Sequence, residues 1–219
     1  NATGYTWTVP SGAIVASAQG TTAITVDFGA TSGNVSVVAD TNGCAGLAAS
    51  TAVTVTSIPA APGTITGNTS VCANDTGETY SIDAVPGATN YVWTVPSGAT
   101  VDGGQGSTSI TVDFGATSGN VSVSAENTCG ASTATSSAVT VVSVPDQPGA
   151  ITGEAAVCAG DSESYSVAAV AGATTYTWSI PAGAAILSGQ GTAGITVLWG
   201  STSGNVSVTA SNGCGTSAA

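Results

Sequence analysis

Thr25-Val-Asp-Phe-Gly-Ala-Thr-Ser-Gly-Asn-Val-Ser-Val37 is the stretch on which the reading of this chain turns. The same thirteen residues return unchanged as Thr111 to Val123, and with three substitutions as Thr196 to Val208. The spacings are 86 and 85 residues, so the 219-residue chain holds three copies of one unit. Self-similarity at a fixed period marks a repeat architecture, whose modules contribute length and surface more than unique chemistry.

Inside the motif, apolar and polar residues alternate, the period-2 signature of half-buried strands. In the second copy Tyr91, Trp93 and Val95 share one face, as do Ile110, Val112 and Phe114, and then Val121, Val123 and Ala125. Gly63–Gly67, Glu78–Ile82 and Ala138–Val142 complete the strands read from this pattern. Turn formers separate them at Pro86-Gly87, Pro96-Ser97-Gly98, Gly104-Gln105-Gly106 and Ser118-Gly119. No window carries a helical period with a cap and a stop. About seven short antiparallel strands, with a Trp on the third, predict an immunoglobulin-like β-sandwich, so the fold expected is all-β with tandem sandwiches in a linear array.

Proline marks the boundaries. Ile58-Pro-Ala-Ala-Pro-Gly63 and Val144-Pro-Asp-Gln-Pro-Gly149 are equivalent short, stiff linkers. They divide the chain into 1–57, a copy without its first strands, 58–143, a complete copy, and 144–219, a copy without its last strand. The expectation is a window on a longer array; the sharper alternative is that neighbouring subunits donate the missing strands.

Composition narrows the function. There is no Lys, Arg, His or Met, and twelve acids give a net charge of −12. Nothing can neutralise nucleic-acid phosphates or an anionic membrane surface. The usual general bases and activators of a nucleophile are missing as well. At 42% hydrophobic content the chain has enough apolar surface for real cores, yet no run approaches the length of a membrane span.

Tyr5-Thr-Trp-Thr-Val-Pro-Ser-Gly-Ala13, Gly104-Gln-Gly with Ile110-Thr-Val and Phe114-Gly, Ser118-Gly-Asn-Val-Ser-Val123, Asn212-Gly-Cys-Gly215, Val71-Cys-Ala and Val157-Cys-Ala-Gly form a set. Together they resemble the PKD-like or Ig-like repeats of large surface and type IX-secreted proteins of Bacteroidetes, over essentially the whole chain. Val112-Asp-Phe-Gly115 is only a partial echo of the longer Trp-Asp-Phe-Gly-Asp-Gly signature of other PKD domains. The resemblance implies a non-catalytic, extracellular structural repeat of a stalk, adhesin or filament, without cofactor. Its expected partners are neighbouring repeats or identical chains. The alternative is a carbohydrate-binding module array that meets a surface glycan.

The acids show no calcium-loop spacing. Asp27 and Asp113 correspond, but the third copy has Leu198 there. Only Asp75 and Glu78, with Asp161 and Glu163, recur near the first cysteine, as a weak cation site or a solvated acidic face. No catalytic carboxylate pair and no metal site are expected. Trp7, Trp93, Trp178 and Trp199 are assigned to cores, whereas a sugar platform needs exposed rings. Asn34, Asn120 and Asn205 match a glycosylation sequon but read as strand positions.

Five cysteines without metal spacing suit an oxidising setting. Cys72 and Cys158 follow the first strand; Cys129 and Cys214, with Cys44 in the first copy, sit at the turn before the last strand. One pairing lies within copies, Cys72–Cys129 and Cys158–Cys214. Alternating strand direction, however, places those turns at opposite poles, roughly 20 Å apart, against the roughly 7 Å a disulfide spans. A staggered bridge from Cys72 to Cys214 of the next copy meets the distance, leaving Cys44, Cys129 and Cys158 to partners elsewhere. Free thiols are the third option.

Overall fold

The computed structural model describes residues 2–219, in which all regular structure is strand. The first copy runs β1 (Gly4–Thr8), β2 (Ile14–Ser17), β3 (Thr25–Asp27), β4 (Gly33–Thr41), β5 (Cys44–Ala45) and β6 (Ala49–Val53). The second runs β7 (Ser70–Cys72), β8 (Glu78–Ser81), β9 (Asn90–Thr94), β10 (Thr100–Gly103), β11 (Ser109–Asp113), β12 (Gly119–Asn127), β13 (Gly130–Ala131) and β14 (Thr135–Val142). The third runs β15 (Ser162–Ser166), β16 (Thr175–Ser179), β17 (Ala185–Ser188), β18 (Gly194–Leu198), β19 (Ser207–Asn212) and β20 (Gly215–Thr216).

The second copy holds a sheet in the order β13-β12-β14-β7, with β9 on β12, and a sheet β10-β11-β8. Most inward residues of the alternating pattern are buried, among them Tyr80, Trp93, Ile110, Val112, Val121, Val123 and Val139, while Val95 is partly buried. The third copy repeats this with β15-β18-β17 and β16-β19-β20 around Tyr165, Trp178, Ile195, Val197 and Val208. Tyr80 meets Phe114 edge-on with centroids 6.0 Å apart, and Tyr165 meets Trp199 at the same distance. A buried indole needs a partner for its N–H. Trp93 Nε1 donates to the Ser107 carbonyl and Trp178 Nε1 to that of Thr192, both at 2.9 Å. Gln105 and Gln190 clamp the same tryptophans by accepting from their backbone N–H and donating to their carbonyl.

Three expectations are corrected. The strands are not all antiparallel: β14 pairs β7 in parallel, Thr140 with Ser70 through Val142 with Cys72. The opening strand is β7, so Cys72 lies on a strand and not in the turn after it; Gly63–Gly67 makes only a bridge, Thr66 to Ser81. At Gly67 the chain passes so close to the Tyr80 ring that a Cβ there would collide with it at Cδ1. Thr100–Gly103 also forms a strand, bulged against β11; its one apolar residue, Val101, gave no alternation to read.

The first copy differs in burial. Phe28 is 43% exposed where Phe114 is 4% exposed, and Trp7, expected in a core, is only half-buried. The physical reason is that β2 and β3 form a two-stranded sheet, and no described residue takes the place that β8 takes beside β11. Trp7 keeps its N–H bond, to the Thr21 carbonyl at 2.9 Å.

Compact units divide the chain in two: Asn1–Pro62 with Ala84–Val92 and Ser124–Ala134, and Gly63–Asp83 with Trp93–Val123 and Thr135–Ala219.

One backbone position separates the copies energetically. Gly104 and Gly189 have φ of 84° and 88°, and a Cβ at either would collide with a carbonyl across the turn. The first copy places Ala18 there, at φ 69°. Left-handed backbone costs a non-glycine residue about 1 kcal/mol. Ala18→Gly is expected to stabilise by about 1 kcal/mol, and Gly104→Ala to destabilise by about 2 kcal/mol or more, both read by calorimetry.

Candidate functional site

The cysteine turns are built the same way in the second and third copies. Asn127 Oδ1 accepts from the Cys129 N–H at 2.8 Å, and Asn212 Oδ1 from the Cys214 N–H at 2.8 Å. The amide nitrogens of both asparagines reach the linkers: Asn127 Nδ2 donates to the Ser57 carbonyl at 2.7 Å, and Asn212 Nδ2 to that of Ser143 at 2.8 Å. Each asparagine therefore pins the connector that enters its copy and fixes the turn that carries the cysteine.

Cys72 and Cys214 are joined by a disulfide, with Cα atoms 5.4 Å apart. The bond links the first strand of the second copy to the last described hairpin of the third, across a sequence separation of 142. Cys72 is held on its side by the parallel pairing with Val142 and by the Ala73 N–H, which donates to the Val142 carbonyl at 2.8 Å. Cys44, Cys129 and Cys158 are free and exposed, so neither Cys72–Cys129 nor Cys158–Cys214 is formed. Cys129 Sγ rests on Thr56, 3.0 Å from its hydroxyl and 3.3 Å from its carbonyl.

Cys44 is not the counterpart of Cys129, which corrects its placement at the turn. It pairs with Thr41 across Asn42-Gly43, whereas Gly130 pairs with Asn127 and Gly215 with Asn212. One added residue moves the cysteine from the tip onto β5, into the slot of those glycines. Asn42 and Gly43, at φ 48° and 82°, make the tight turn that Asn-Gly favours.

The acids play local parts. Asp113 Oδ1 accepts from the Gly77 N–H at 2.8 Å, and Glu78 Oε2 from Asn68 Nδ2 at 2.8 Å. Among the described residues no three of His, Cys, Asp and Glu gather where an ion could be held. Trp93, Trp178 and Trp199 are 2%, 3% and 8% exposed. The sequence reading missed a different feature, an open seam in the third copy lined by Glu154, Val157, Trp199 and Val206, with a volume of about 610 Å³.

The PKD-like domain model matches residues 1–55, 58–139 and 144–219. The chain belongs to the PKD-like domain family. No curated protein matches it. Among solved structures, it is similar to domains A168-A170 of titin, at 15% identity, TM-score 0.46, covering 98% of this chain and 84% of that one. FdeC, an Escherichia coli adhesin, is similar at 16% identity and TM-score 0.42, covering 98% and 82%. The N-terminal eight Ig domains of the Down syndrome cell adhesion molecule are similar at 16% identity and TM-score 0.45. This PKD-like chain covers 31% of that last structure, with 88% of its own length aligned.

Two outcomes test the site. A cross-link over a separation of this size stabilises by up to about 5 kcal/mol. Cys72→Ser is expected to lose roughly 2–5 kcal/mol, and reductant should act on the parent chain but add nothing to the variant. The second concerns Tyr80, whose hydroxyl donates to the Asn68 carbonyl at 2.6 Å. Burial, and then the Glu78 charge, push its pKa from 10.0 up to about 12. Ionisation is harder in the folded state, so the contribution is complete below about pH 10 and is lost as pH rises through about 12. Alkaline unfolding should steepen in that window, and Tyr80→Phe should remove the steepening.

Proposed function

We propose that this PKD-like chain is a non-catalytic, extracellular structural segment of a bacterial surface stalk, adhesin or filament, of the kind found in Bacteroidetes type IX-secreted proteins. Its modules are 1–57, 58–143 and 144–219, and its partners are neighbouring repeats. The observation that carries the reading is the Cys72–Cys214 bond, which ties two consecutive copies together. Such a bond suits an oxidising compartment and resists separation of modules under load. The absence of Lys, Arg and His speaks in the same direction, since the common acid–base and nucleophile chemistry has no carrier here. A sugar platform draws little support from the second and third copies, whose tryptophans are buried.

A mechanical role makes a direct prediction for single-molecule extension between the termini. With the bridge closed, the 142-residue span between Cys72 and Cys214 is shielded from the force. Reduction should release about 470–510 Å of extra contour at roughly 3.3–3.6 Å per residue. Equal extension before and after reduction would contradict the reading, as would hydrolysis of, or tight binding to, a panel of surface polysaccharides.

A further inference from the structure

The sheets β2-β3, β10-β11-β8 and β15-β18-β17 each end on an edge strand: β2, β10 and β17. In the complete second copy β10 is at that edge, so the open edge belongs to the fold and not to either end of the sequence. In all three the pairing register slips by one residue, and the residue bulged out is Ala16 in β2, Asp102 in β10 and Leu187 in β17. An edge strand offers unpaired N–H and C=O groups to other chains, and a bulge and a charge are two ways of guarding it.

The second copy uses both guards. Asp102 is exposed at the bulge, and Asp113 on the neighbouring strand pairs with Thr100. The third copy keeps the bulge and loses both charges, because 85 residues further on Leu187 stands for Asp102 and Leu198 for Asp113. Leu187 is 56% exposed and Leu198 37%, and Leu198 pairs with the exposed Ala185. Neither β17 nor β18 contains an acid. β2 is uncharged as well, but its Ile14 pairs with Asp27, so the first copy keeps one acid at this edge.

The charge of the chain decides what fits there. Its net charge is −12 and it has no cationic side chain, so two copies repel wherever acid-bearing surfaces meet. The β17 edge is an acid-free, apolar stretch where they meet without that cost, whereas a basic partner would be drawn to the acids elsewhere. A strand edge is also self-complementary: a two-fold axis perpendicular to the sheet sets a strand antiparallel to its own copy.

We propose that the β17 edge is a homotypic docking surface, on which a second copy of this chain pairs β17 with β17 in antiparallel register. The β15-β18-β17 sheets of the two copies then continue as one sheet, with Leu187 and Leu198 of both chains on its outer face. Apolar neighbours across the new pair add to the backbone bonds. With four residues per strand the contact is short and falls in the weak class for a single pair of chains; it gains where chains are tethered side by side. The proposal names a partner for the surface role proposed above and rests on that reading.

The test is sedimentation equilibrium of the whole chain over a dilution series, with its three free thiols blocked so that no covalent dimer forms. Reversible dimerisation is expected. Added salt should strengthen it, since salt screens repulsion between two acidic chains and leaves apolar and backbone contacts in place. Leu187→Asp, which puts the second copy's residue at an exposed position, should weaken dimerisation at least about tenfold by opposing like charges across the axis. Leu47→Asp, at a residue 99% exposed in the first copy, should leave it unchanged. Amide exchange within Ala185–Ser188 should slow as concentration rises, while exchange within Thr100–Gly103 stays constant. A dissociation constant weaker than about 1 mM, a dimer that Leu187→Asp leaves intact, or one that Leu47→Asp weakens equally would overturn the proposal. None of these outcomes alters the contour released by reducing Cys72–Cys214, so the two readings fail separately.

Discussion

Closure of each sandwich by strands on both edges is the constraint on which the other features depend. The second copy has it: β14 lies between β12 and β7, and β11 lies between β10 and β8. There the valines of the shared motif are fully buried, Val121 and Val123 both at 0% exposure. The same residues in the first copy, Val35 and Val37, are only half-buried. The side chains are identical, so the difference belongs to their neighbours. Burying an apolar side chain of this size contributes about 1.5–3 kcal/mol, and that stabilisation is complete only when the second edge is covered.

The disulfide follows from the same closure. Cys72 is fixed because β7 is held on β14, and Cys214 because Asn212 ties its turn to the Ser143 linker. Remove the strand pairing and the sulfur at Cys72 has no defined place; remove the asparagine and the turn loses its anchor. Cys129 shows the second half of this without the first. Its turn and linker bonds are in place, and its thiol is free and rests on Thr56. Cys158, the counterpart of Cys72, lies outside any strand and its thiol is free.

Much of the fold was legible in the sequence because period-2 alternation and glycine or proline turns are local signals. The inward sets Ile110–Val112–Phe114 and Val121–Val123–Ala125 are read correctly from spacing alone. The seam, the parallel β7–β14 pair and the position of Cys44 were not legible. Three residues, Ser70–Cys72, carry too little alternation to announce a strand, and a parallel partner some seventy residues away leaves no local trace. Cys44 looked equivalent because it follows Asn42-Gly43 as Cys214 follows Asn212-Gly213; only the pairing register shows the one-residue shift. Trp7 differs from the expectation because its local sequence is that of Trp93, while its burial depends on which strands flank its sheet, which the local pattern does not report.

Hydrogen exchange at Val37 and Val123 tests the central claim most directly. Both sit at the end of the same thirteen-residue sequence, so their intrinsic exchange rates nearly match and any difference in protection comes from structure. If closure at both edges governs stability, the Val123 amide should exchange at least about tenfold more slowly than that of Val37, equivalent to about 1.4 kcal/mol. Equal protection at the two sites would contradict the account.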